Sequence, residues 1–190
     1  ADPNDIYFPT GSNQDAIFSA YKEITTYVRQ NGIGEYFAAD IALLQGNPGG
    51  TGYSGGWGII VVYENAKMKY RDVTIFDGYA YVKAGNTSGF DLDVAGFNTV
   101  QYGDVGVKLG LMASEGDVSY TGDYFQIQKK SDASFLSLNH TGNVATNFFN
   151  SSINTGGAFR NPNLQNNTGI DISMFNVPNS GNTVIGNNQT

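Results

Sequence analysis

Short runs of β-branched and aromatic residues, each closed off by Gly, Asn or Asp, recur along this chain and leave little room for helix. That punctuation is the pattern of strands joined by tight turns. The strongest run is WGIIVVYE (57–64). Trp57, Ile59, Val61 and Tyr63 share one face while Ile60 and Val62 lie on the other, so a central strand covered on both sides, with Trp57 in the core, is expected. RDVTIFDGYAYVKA (71–84) places Asp77-Gly78 between two β-rich runs, a hairpin signal because both residues tolerate positive φ. In DVGVKLGLMAS (104–114), Val105, Val107, Leu109 and Leu111 point one way and Gly106, Lys108 and Gly110 the other. DYFQIQ (123–128) and SFLSL (134–138) supply further strands, and AIFSAYKE (16–23) is read as strand. ITTYVRQNG (24–32) is long enough for one or two helical turns, stopped by Gly32.

These elements predict an all-β fold, an antiparallel β-sandwich or jelly roll with long Asn/Gly-rich loops and at most one short helix. At 190 residues the chain is read as one domain, 1–190, with no internal repeat. The last forty residues are rich in Asn, yet Phe148, Phe149, Phe159, Ile170, Ile172 and Phe175 in and just before them need burial. That region is expected to be a long ordered excursion over the sheets.

Charged residues make up 14% of the chain, against about 25% in an average soluble domain. The net charge is −7 and no Lys/Arg cluster exceeds Lys129-Lys130, which argues against nucleic acid as a partner. There is no cysteine, so disulfides and zinc-thiolate sites are excluded. No stretch approaches the roughly 20 apolar residues that would cross a bilayer as a helix, and no membrane insertion is expected. The chain begins ADPNDIYF without an initiator Met, which fits a removed signal peptide or a short expression remnant. Sequons at Asn86, Asn139, Asn150, Asn166 and Asn188 permit glycosylation in a secreted setting, and an extracellular, cell-surface location is the favoured reading.

The acidic stretch EGDVSYTGDYF (115–125) is the main candidate for chemistry. A glycosidase would use Glu115 with Asp117 or Asp123 as a carboxylate pair across a cleft. Calcium suits the stretch better, because it takes six to eight oxygens from carboxylates, Asn and backbone carbonyls. Glu115, Asp117 and Asp123 stand near strand ends beside Gly116 and Gly122; Asp91 and Asp93 form an i, i+2 pair on one face of a strand; Asp171, with Asn147 and Asn150, could complete the cluster on folding. The competing reading is a solvated acidic hairpin, or carboxylates that accept backbone N–H bonds in turns. His140, in LNHTG, is the one conventional triad base and is expected in a solvated turn. G-x-S-x-G and phosphate-loop motifs are absent, and GNPGGTGYSGG (46–56) is a loop. Tyr7, Tyr53, Tyr102, Tyr120 and Tyr124 fall in or near turns, where they could stack on sugars; a calcium-assisted, lectin-like domain is the alternative function.

The segment GGWGIIVVYENAKMKYRDVTIFDGYAYV (55–82) resembles the signature GW-x-LVVVYE…R-x-(V/I)-T-(V/I)-FDG of a β-rich domain found in large secreted surface proteins and adhesins of bacteria and archaea. Gly32, Gly34, Tyr36, Ala39 and Ile41 upstream, then Gly96-Phe97, EGD, TGD, NFFNSSI, RNP and GIDISMF downstream, extend the likeness over nearly the whole chain. The resemblance implies a surface-displayed, non-enzymatic structural or adhesive module, and names no ligand. Such domains would carry a further strand after TVIG (183–186), where this chain runs out at NNQT. A sheet missing its closing strand could take one from another copy or from a neighbouring surface-protein domain. A truncated chain is the other reading.

Overall fold

The alternation in Val107–Ser114 forms the strand it encodes. A computed structural model describes residues 6–7, 18–41, 55–78, 82, 89–114, 116–155, 158–159 and 166–190. They fall into two units, Ala1–Ala39 with Val73–Phe97, and Asp40–Asp72 with Asn98–Thr190. The described residues are β-rich with one short α-helix.

In the first unit, β1 (Ile6–Tyr7) pairs antiparallel with β2 (Ser19–Ala20), inside the stretch read as strand. The helix α1 (Thr25–Asn31) forms where ITTYVRQNG predicts it. The Glu23 side chain accepts the Thr25 N–H at 2.8 Å at its start. At its end Gly32 adopts φ 68° and donates its N–H to the Val28 carbonyl at 2.8 Å, a backbone turn that glycine enters without a Cβ clash. Tyr27 and Tyr36 meet edge to face across this end, ring centroids 6.1 Å apart.

In the second unit, β3 (Val107–Ser114), β8 (Ile170–Val177), β6 (Ile153–Thr155) and β7 (Ala158–Phe159) lie side by side in that order. β3 pairs antiparallel with β8 over eight residues, Val107 opposite Val177 through Ser114 opposite Ile170. β6 and β7 are antiparallel, but β6 runs parallel to β8, with Asn154 opposite Ser173, so the expectation of a purely antiparallel fold is corrected here. The chain between β6 and β8 includes β7 and is long enough to make the return that a parallel pair requires. β4 (Gln126–Gln128) and β5 (Phe135–Ser137) form a separate hairpin. At its turn Asp132 accepts the Ser134 N–H and hydroxyl and pairs with Lys129 at 3.0 Å.

One face of the β3–β8 sheet and the hairpin share a core. Leu138, Phe148, Phe175, Val177 and Val184 are buried, with Val107, Leu109, Leu111, Phe125, Ile127 and Leu136 packed against them. Phe148 is fully enclosed and touches three other phenyl rings, those of Phe125, Phe149 and Phe175, at centroid distances of 5.3, 5.2 and 5.8 Å. The inward residues of β3 are those its alternation assigns.

Two expectations change. Residues 57–64 join no ladder among the described residues, and Trp57 is 47% exposed rather than in the core. The physical reason is where the run lies: a Cβ on Gly56 would meet the Ile170 side chain at 2.8 Å, and one on Gly58 the Met112 sulfur at 2.8 Å. The start of the run therefore crosses the outward side chains of β8 and β3, where no sheet edge offers hydrogen bonds. Second, GIDISMF, read as part of an excursion, is the long strand β8. Beyond β8 no further strand forms among the described residues; Ser180–Asn182 is a 3-10 turn, and Val184 beyond it is buried in the core. That final segment is tied down by amides: Asn179 Oδ1 accepts the N–H groups of Val184 and Ile185, Asn182 Oδ1 accepts Val105 N–H at 2.8 Å, and the Gln189 carbonyl accepts Thr99 N–H. Of the Asp77-Gly78 hairpin, residues 79–81 lie outside the described residues.

Truncating the ring at the centre of this core removes contacts on all sides. Phe148→Ala is expected to cost about 3–5 kcal/mol, read as a lowered urea midpoint with little change in slope.

Candidate functional site

The face of β8 that turns inward carries polar residues at one end and apolar ones at the other: Asp171, Ser173, Phe175 and Val177. Asp171 is 1% exposed. Its Oδ2 accepts the Ser151 N–H and its Oδ1 the Ser152 N–H, both at 3.0 Å. The turn it grips needs such a clamp, because Ser151 sits at φ 58°, a left-handed conformation a non-glycine residue adopts only when its surroundings enforce it. The Ser151 hydroxyl in turn accepts the Gly169 N–H at 2.9 Å. Asp123 holds the preceding stretch in the same way, its Oδ1 accepting the Phe149 N–H at 2.8 Å. Gly116, from the acidic stretch, closes over Asp171: a Cβ there would lie 2.0 Å from Oδ2 and 2.5 Å from the Phe149 carbonyl, so only glycine fits.

Burial pushes the Asp171 carboxyl up to about 6; the backbone N–H groups of Ser152, Ser151 and Asn150 oppose the rise and the nearby Asp123 charge adds to it.

The other acidic candidates are placed differently. Asp117 is exposed. Asp91 and Asp93 belong to the first unit and are exposed on backbone that joins no ladder. Glu115 lies outside the described residues. Of the candidate set, the structure brings Asp123 and Asp171 together around the Phe149–Ser152 turn, with Asn147 and Asn150 close by in sequence. Among the described residues no three His, Asp or Glu side chains gather in a way that could hold a metal ion. Asn150 Nδ2 donates to the Gly142 carbonyl at 2.7 Å, and its Oδ1 accepts from the Ser152 hydroxyl and from Asn143. Asn147 Nδ2 donates to the Val118 carbonyl at 3.2 Å.

His140 is not a solvated turn residue. Its backbone does form a turn, exchanging hydrogen bonds with Asn143, but the ring is half-buried, stacked on Phe175 at 4.7 Å and edge-on to Phe148 at 5.6 Å. Its Nε2 lies 3.1 Å from the Ser173 hydroxyl, and burial pushes the imidazole below its usual value, which favours the neutral ring. Asn143 and Asn154, both fully enclosed, flank this ring's segment: Asn143 Nδ2 donates to the Phe148 carbonyl and Ser152 Oγ, and Asn154 Nδ2 to the Thr141 carbonyl. Sequence reasoning misses Ser173, Asn143 and Asn154. The signal available for Ser173 is the phase of IDISMF, which puts Asp171 and Ser173 on the same side as Phe175.

Of the tyrosines considered for stacking, Tyr102, Tyr120 and Tyr124 are exposed; Tyr53 and the Tyr7 side chain lie outside the described residues. Comparison of the chain with known protein families, curated proteins and solved structures finds no match.

The proton on the Asp171 carboxyl couples folding to pH. Its folded-state value of about 6 lies above the ordinary 3.8, so the folded state binds the proton more tightly. The stability it contributes is present below about 3.8 and is lost as pH rises through about 6. The stability difference between wild type and Asp171→Asn, from urea melts at stepped pH, should fall between those limits and stay level above them.

Proposed function

We propose that this chain is a structural and adhesive module of a cell surface, secreted, non-enzymatic and built as a β-sandwich with jelly-roll-like connections. The observation that carries the reading is how its buried and half-buried polar groups are used. Asp171 and Asp123 hold the backbone of a turn, and Asn143, Asn179 and Asn182 bond backbone groups of other segments. Chemistry of that kind stiffens loops. The sandwich is supported by the shared core between the β3–β8 sheet and the β4–β5 hairpin. The weakly ionic composition and the GW…VTIFDG resemblance support display outside the cell.

Other copies of the chain are the proposed partners. β3 pairs on one side with β8, and among the described residues nothing pairs with its other edge, which suits strand addition. Purified protein should associate as its concentration rises, seen by sedimentation velocity and as ordered filaments in negative stain; monomers throughout the range would remove the assembly reading.

Calcium is proposed as a stabilising ion, drawn to the half-buried Asp123 and the buried Asp171, whose like charges repel and would gain from a cation. Thermal melting with calcium and with chelator should give a higher midpoint in calcium; equal midpoints would remove the ion from the proposal. Carbohydrate binding is the second reading, favoured by the exposure of Trp57, Tyr102 and Tyr120.

A further inference from the structure

Four groups meet at the polar end of the β8 face. Ser173 is 1% exposed and faces the core, and His140 Nε2 lies 3.1 Å from its hydroxyl. The parallel register sets Asn154 directly opposite Ser173, so the two side chains stand on the same face of neighbouring strands, about 4.8 Å apart at their Cα atoms. Asn154 is fully buried as well. Its amide nitrogen donates to the carbonyl of Thr141, the residue after His140, so one dipeptide touches both the hydroxyl and the amide. Asn154 Oδ1 and His140 Nδ1 are buried there with no hydrogen-bond partner. A nucleophile, a base and a carboxamide thus share one face of the core, the first and last of them buried.

We propose that Ser173 and Asn154 join as an intramolecular ester that cross-links β8 to β6, with His140 as the base. The neutral imidazole takes the hydroxyl proton at Nε2 as Ser173 Oγ attacks Cγ of Asn154. The Oγ–Cγ bond forms, the Cγ–Nδ2 bond breaks, and the imidazolium returns its proton to Nδ2, which departs as ammonia. Atoms and electrons balance without an oxidant, a reductant or a second substrate. Holding the groups in register supplies the proximity that a bimolecular reaction lacks. Burial keeps out the water that would hydrolyse the ester, and loss of ammonia to solvent drives the step forward.

Such a bond suits a module that bears load, but it stands on the Ser173–His140–Asn154 geometry alone and holds whatever the chain's partner is. The test is peptide mapping of the folded wild-type protein after denaturation and proteolysis. The peptides carrying Asn154 and Ser173 should be recovered joined, lighter than their sum by one ammonia, and hydroxylamine should separate them. Recovery of both at full mass overturns the proposal. So does an ammonia loss confined to the Asn154 peptide that persists in Ser173→Ala, because that product is a succinimide. His140→Phe keeps a ring against Phe175 and should leave the peptides unlinked; linkage at the wild-type extent in that variant overturns the role given to His140.

Discussion

The clamp between the Asp171 carboxylate and the Ser151 and Ser152 N–H groups is the interaction on which the second unit depends. It fastens β8, the strand that pairs with β3 over eight residues, to the turn that leads into β6, and it does so from inside the core. A carboxylate buried this deeply is costly unless donors surround it, and two backbone N–H groups with Gly116 packed above supply that surrounding. Because Phe148 directly precedes the Phe149–Ser152 turn, the same clamp helps to place the ring at the centre of the core. Hydrophobic packing and the polar anchor are therefore one construction.

The composition takes on a different meaning in this light. Charged side chains are scarce here and neutral hydrogen-bonding ones take their place, a composition that could simply have wetted the surface. Much of that neutral inventory instead replaces ladder hydrogen bonds. Asn179 serves two N–H groups and two carbonyls, and Asn182 serves both backbone groups at the 103–105 bend. A carboxamide carries a donor and an acceptor in the geometry of a peptide unit, so it can stand in for a strand where the chain turns away. This is how the final segment packs against the core without forming a strand.

What was legible in the sequence was local. The β3 alternation, the β4 and β5 runs and the Gly32 helix stop each encode a conformation through side-chain phase or backbone freedom, and each appears. The β8 strand was hidden because two rows of its residues are plausible insiders: Ile170, Ile172 and Met174 look more apolar than Asp171 and Ser173. The choice between them went to the row that satisfies the Ser151–Ser152 turn and also carries Phe175 and Val177. WGIIVVYE shows the converse. Its β propensity is strong, but a ladder needs a partner edge, and the run begins across a sheet face.

Sequence alone determined a β-rich, cysteine-free, weakly ionic chain with acidic and amide groups near its turns, because composition and side-chain period act on each segment independently. Which acid is buried, which serine meets the single histidine, and which asparagine stands opposite that serine were decided by strand register. Register joins residues far apart in the chain, and no local pattern carries it.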